Sequence, residues 1–350
     1  MKDIYYPSHD GITTIHACLW LPEGEIKGVV QIIHGMCEYA ERYTPFAEYL
    51  NKHGYAVCAE DHLGHGQSVK TKEDLGYFSN GRDNNVIIRD IRALQLAVKK
   101  QVGDKPYFIL GHSMGSFFCR KYISLYGEDF NGAIIMGTGY KDKFTLHAAL
   151  FMVRLNSIFY GWRNRSPFIK KLAFGSYNKK FSPVRTENDW LSVNAENVDK
   201  YNADELCTFS FTNNAYNGLF SVINDACSHK TIKAVPENLP VYFVAGADDP
   251  VGDYGKGVQK AYDKFVKAGV KDVNINLYDG ARHEILNDDC KDKVCEDILA
   301  FLEAHPVIVK PETAEAVKEE VKEEAAEKPA EAEEVKPEKT EEKPEEKTEE

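Results

Sequence analysis

A chain of 350 residues can hold one large α/β domain or two ordinary ones, with a sizeable core in either case. Its net charge of −12 sits at one end, because residues 307–350 carry 17 Glu against 8 Lys and leave residues 1–306 near −3. No basic stripe suited to nucleic acid remains, and no run approaches the ~20 apolar residues of a membrane helix.

Met1 to Asp10 is polar and aromatic and has no secretory h-region. The eight cysteines form no C-x-x-C pair, and Cys18, Cys58 and Cys119 lie inside apolar runs as buried thiols. These features lead us to expect a soluble, cytoplasmic chain. Residues 3–7 and 12–21 read as two antiparallel strands around the turn Ser8-His9-Asp10-Gly11. Gly28 to Ile33 is a nearly continuous apolar run, suited to a strand covered on both faces, and it leads into His34-Gly35-Met36. A helix over 43–53 and a strand over 55–59 follow. Asp61-His62-Leu63-Gly64-His65-Gly66-Gln67-Ser68 then reads as a hydrogen-bonded turn rather than a metal site, since no second ligand set accompanies it.

The spacing of Val86, Ile87, Ile91, Leu94 and Val98 predicts a helix over 83–101. After it an apolar run from Pro106 to Leu110 enters Gly111-His112-Ser113-Met114-Gly115, and an amphipathic run from Phe117 to Tyr126 leaves it. Strand, sharp turn and helix are the setting of a nucleophile elbow, in which small flanking residues let a serine stand at the tip. Gly132 to Gly137 is another buried strand, so strands and helices alternate over about 28–137, the pattern of a parallel sheet with helices on both faces.

That rhythm stops over 140–232, where helical and loop-like segments hold 16 aromatic residues and 12 basic against 8 acidic side chains. An inserted helical cap is the expected explanation. Its aromatics would either line an acyl site or form the cap's own small core, and Arg163, Arg165, Lys170 and Lys171 are either candidates for contact with an anionic head group or interface, or simply solvated. The rhythm resumes with a strand at Val241 to Gly246, a helix over 254–268, a strand at Val273 to Tyr278 and a closing helix over 288–304. The expected organisation is a core of 1–139 and 233–306, a cap of 140–232, and a disordered Glu/Lys/Pro tail of 307–350.

A serine hydroxyl needs a base, and the base needs an orienting acid. In this architecture they follow in the order Ser, Asp, His at the ends of later strands. Asp249 and its neighbour Asp248 follow one such strand, and His283 follows the last. The candidate triad is therefore Ser113, one of the adjacent pair Asp248 and Asp249, and His283. The oxyanion donors are the backbone N–H groups of Met114, directly after the nucleophile, and Met36, in the loop where Gly35 permits close approach.

Together these pieces resemble the α/β-hydrolase superfamily, in the branch of monoacylglycerol lipases, bacterial lysophospholipases and serine aminopeptidase-like hydrolases. The resemblance rests on His34-Gly35-Met36 with Glu38 and Arg42-Tyr43, Asp61 to Ser68, Gly111 to Ser116, Asp249-Pro250-Val251 and His283-Glu284. In the cap it adds Asp189-Trp190-Leu191-Ser192 and Tyr201 to Phe209, so that it covers about 5–305. It implies the same triad and oxyanion amides. Two positions depart from it: Tyr39 stands where a second His is common, and Ser116 where Gly is common. The family's spacing Gly-x-x-Asp-x-Val fits Gly246 to Val251 only at Asp249, so the resemblance implies Ser113, Asp249 and His283 as the triad.

The expected activity is hydrolysis of carboxylic esters of monoacyl lipids, monoacylglycerol or lysophospholipid, through an acyl-enzyme. No cofactor, metal or protein partner is expected, and contact with lipid interfaces is expected to be transient. The alternatives are an aminopeptidase or amidase on the same triad, and a non-catalytic binding protein.

Overall fold

The computed structural model describes residues 1–79 and 85–306, so the start of the 83–101 helix and the expected disordered tail lie outside the described residues. Eight strands form one sheet: β1 (Lys2–Pro7), β2 (Thr14–Trp20), β3 (Gly28–Ile33), β4 (Tyr55–Glu60), β5 (Tyr107–His112), β6 (Gly132–Met136), β7 (Val241–Gly246) and β8 (Val273–Tyr278). Their order is β1-β2-β4-β3-β5-β6-β7-β8; β2 runs antiparallel to both β1 and β4, and all other pairs are parallel.

The five central parallel strands are buried along their whole length, which explains why they are apolar runs rather than alternating ones. Successive residues still face opposite sides. Val29 and Ile109 pack under α2 (Val86–Val102), α3 (Met114–Tyr126) and α9 (Lys256–Ala268), while Val30 and Leu110 pack under α1 (Thr44–Lys52) and α10 (Lys291–Ala304). The Ser113 strand, β5, is held in the middle, where Gly111 pairs with Ile33 of β3 and Ile135 of β6.

Between β6 and β7 the chain forms α4 (Lys143–Tyr160), α5 (Pro167–Phe174), α6 (Ala195–Ala203), α7 (Asn213–Ala226) and α8 (His229–Lys233). Each starts with a side-chain cap: Asp142, Ser166, Asn194, Thr212 and Ser228 accept from a backbone N–H of the first turn. α4 lies on α7, and α7 lies on α3, so the insertion rests on the helix that follows Ser113.

α10 starts three residues later than the sequence reading. The carboxylate of Asp288 accepts from Ser192 Oγ, Val193 N and Arg282 N, and this holds 288–290 in the loop.

Candidate active site

Ser113 joins β5 to α3 with φ 54° and ψ −119°, a region that costs a non-glycine residue of order 1–3 kcal/mol. The turn must be tight because α3 presses on the strand beside it: a Cβ on Gly115 would sit 2.0 Å from the Ile33 carbonyl oxygen. Ser116, where the resembling family often has Gly, uses its hydroxyl to donate to the Ser113 carbonyl at 2.6 Å. Met114 is the first residue of α3, so its N–H has no partner within the helix. The loop after β3 closes against the same point, since a Cβ on Gly35 would lie 2.9 Å from Ser113 Cβ.

Asp249 follows β7, fully buried, and its two carboxylate oxygens have separate tasks. Oδ1 accepts from Val251 N at 2.8 Å, and Oδ2 pairs with His283 Nδ1 at 2.8 Å. Asp248, next to it, is exposed. His283 follows β8 and is buried against His112 and Trp190, at ring distances of 4.9 and 5.1 Å. Its Nε2 is buried without a hydrogen-bond partner, and it shares a cavity of about 590 Å³ with Ser113, Met36 and Met114. Bonds from a nucleophile to its base are often long in unliganded sites.

The cavity wall opposite the sheet comes from the insertion. Phe174, Tyr177, Trp190, Tyr201, Phe209 and Tyr216 line it, along with Lys170 and Lys171. Of the basic residues named from sequence, Arg163 and Arg165 do not reach it. Arg163 pairs with Asp74 at 2.7 Å and covers the Tyr77 ring, and Arg165 donates to the carbonyls of Glu73, Leu75 and Ser210. They bind the insertion to the body and are not free for a head group. Tyr39, the other departure from the resemblance, donates to Asp204 Oδ2 at 2.8 Å and ties the loop after β3 to the insertion.

Sequence reasoning gave no role to a buried charged group behind the site. Glu38 Oε1 accepts from Gly35 N, from Tyr43 Oη at 3.0 Å and from His112 Nδ1 at 2.7 Å. Arg42 bridges to Glu38 at 3.2 Å and grips Glu284 with two bonds of 2.9 Å. Burial opposes the charge on His112, yet the Glu38 carboxylate holds its pKa above the ordinary value. Burial likewise opposes the Glu38 carboxylate, but His112 and Arg42 hold its pKa well below the usual range. The group joins the loop after β3, the elbow and the His283 loop. Its members all stand in the segments that carry the resemblance, but nothing in the sequence says that they touch, with Glu38 and Glu284 standing 246 residues apart.

The 61–68 segment is a hydrogen-bonded turn: Asp61 accepts from Ala40 N and Gln67 N, each at 2.8 Å. His62 Nδ1 pairs with Glu60 and His65 Nδ1 with the Leu63 carbonyl.

The sheet order, the strained serine after a central strand and the acid–histidine pair on later strands define an α/β-hydrolase fold. The profile of the serine aminopeptidase (S33) hydrolase family matches residues 24–290, and the chain belongs to that family. It is 26% identical over 268 residues to the monoglyceride lipase of Rattus norvegicus, covering 75% of this chain and 78% of the relative. It is 25% identical to the monoacylglycerol lipase of Mycolicibacterium smegmatis, over 82% of this chain and 92% of the relative. A thermostable carboxyl esterase from Bacillus coagulans, solved with glycerol, superposes with TM-score 0.81 at 29% identity, covering 87% of this chain and 99% of that one.

Proposed function

We propose that the protein is a serine carboxylic ester hydrolase acting on monoacyl lipids, with Ser113, Asp249 and His283 as its triad. The observation that carries this reading is a cavity holding Ser113 and His283 under a wall of aromatic side chains. Its volume, about 590 Å³, falls in the range of small-molecule sites, and most of its lining is apolar.

In the reaction, Ser113 Oγ attacks the ester carbonyl carbon while its proton passes to His283 Nε2. Asp249 fixes the imidazole tautomer through Nδ1 and stabilises the imidazolium. The N–H groups of Met36 and Met114 receive the oxyanion. Collapse of the tetrahedral species breaks the bond to the alkoxy oxygen, which leaves as the alcohol with the proton from His283. Water then repeats the sequence on the acyl-serine, releasing the acid and restoring Ser113. No cofactor is needed.

An aminopeptidase on the same triad would need a free carboxylate for the substrate amine. Each carboxylate among the cavity-lining residues is already paired: Glu38 with Arg42 and His112, Glu284 with Arg42 and Asn197, and Glu187 with Lys170. Contact with a lipid surface is supported by α4, whose outward stripe of Phe144, Phe151, Leu155 and Ile158 is exposed. No helix among the described residues is long and apolar enough to cross a membrane. All eight cysteines are free thiols, which supports a reducing, cytoplasmic location.

The test is a fluorophosphonate probe followed by an ester series. Labelling at Ser113, with kcat/KM rising from acetate to octanoate para-nitrophenyl esters, is the expected result. A profile falling steadily from acetate would remove the lipid assignment, and failure to label would remove the enzyme.

A further inference from the structure

The antiparallel pairing of β1 with β2 sets Asp3 opposite Cys18 and Tyr5 opposite His16. His16 and Cys18, two apart on one strand, therefore share a face with Asp3. His16 Nε2 lies 3.2 Å from Asp3 Oδ1 and 3.9 Å from Cys18 Sγ, and the three ligand atoms all fall within 4.8 Å of one another. Bonds of about 2.0–2.3 Å at tetrahedral angles place ligand atoms roughly 3.3–3.7 Å apart, beside the 3.2 and 3.9 Å of the two pairs that His16 makes. The other ring nitrogen of His16 is held by the buried Asp61 at 2.8 Å. A carboxylate on the far nitrogen is the usual support of a metal-bound imidazole, because it fixes the ring and raises its basicity.

From this geometry we propose that Asp3, His16 and Cys18, none of which lines the Ser113 cavity, form a binding site for a divalent transition metal of the zinc or cobalt type. The donor set, one imidazole, one thiolate and one carboxylate, suits such borderline ions and not magnesium or calcium. His16 and Cys18 are fully buried, whereas Asp3 is half-exposed, so the ion has a route in from solvent, beside the Gln67 amide that lies 3.5 Å from His16 Nε2.

The test is titration of the reduced full-length protein with Co²⁺, following the near-ultraviolet thiolate-to-cobalt charge-transfer band, with Zn²⁺ as competitor. The carboxylates of the Glu-rich end cannot produce that band. One equivalent of Co²⁺ should develop it, Zn²⁺ should bleach it, and Cys18→Ala should abolish it. Asp3→Asn, on a half-exposed side chain of the outermost strand, should keep the fold and weaken binding by about tenfold or more. Absence of the band, its survival in Cys18→Ala, or unchanged affinity in Asp3→Asn would each overturn the proposal.

Discussion

Asp248 and Asp249 are chemically identical neighbours in different environments. Asp249 is buried with its carboxylate on His283, and Asp248 is exposed. Asp249→Asn should cut kcat by about 10⁴, because it alters the tautomer and removes the charge that supports the imidazolium, while Asp248→Asn should change it little. Steady-state kinetics with the opposite ranking would displace the register by one residue. Ser113→Ala and His283→Ala should each cost kcat about 10⁴ or more, with the double variant little worse, since the members act as a unit. More than a tenth of the activity surviving in Ser113→Ala would exclude the mechanism. The proposed triad was legible in sequence because each member follows a strand in a fixed order. The Glu38–His112–Arg42–Glu284 group was not, although its members stand in the resembling segments, since a motif does not say which of its side chains touch, and the Asp3–His16–Cys18 cluster depends on strand pairing.

At the scale of elements, buried strands and amphipathic helices were readable because apolar runs and 3.6-residue spacing report burial directly. What the pattern could not show was which side chains stop an element, as Asp288 does before α10. The turn after β4 carries a further consequence. His65 is enclosed by Phe78, Phe209 and Phe211, and burial pushes its pKa down to about 3; burial likewise pushes His62 down to about 4. Both values lie below the unfolded one near 6.5, so below that pH the unfolded state binds more protons. The stabilisation present above about pH 6.5 is lost as pH falls toward the folded values. For His65 the loss at pH 5 is about 2 kcal/mol, worth a few degrees of Tm. His16, His112 and Glu60 are shifted upward and act in the opposite sense, so a difference measurement is required. Between pH 7 and pH 5 the wild type should lose a few degrees more than His65→Phe, measured by thermal unfolding. Equal losses would show that His65 does not resist protonation.

For the whole molecule, the aromatic enrichment of 140–232 resolves into three populations: one lines the cavity, one faces outward, and a third, Phe211 and Phe220, is packed in the interior. α4 shows how a single helix serves both sides. Leu146, Leu150, Val153 and Ser157 form its buried stripe, and Phe144, Phe151, Leu155 and Ile158 form an apolar stripe on the exposed face. A helix apolar on both faces is expected inside a protein, and here one face has no protein covering among the described residues. α5 extends the surface with exposed Phe168 and Leu172, while its Lys170 and Lys171 line the cavity. A lipid surface matches this arrangement, since it would meet apolar side chains and anionic head groups would meet Lys171 beside the cavity, Lys170 being paired with Glu187. The double variant Phe151→Ser, Ile158→Ser changes only exposed positions, so it should leave turnover of a dissolved short-chain ester unaltered. On monoacylglycerol dispersed in anionic vesicles, its rate should fall about tenfold, equivalent to ~1.4 kcal/mol of lost surface binding. Sedimentation with the same vesicles should weaken in parallel. Equal loss on both substrates would mean that the stripe supports the cavity and not the surface, and unchanged rates on both would leave the exposed face of α4 without a part in lipid hydrolysis.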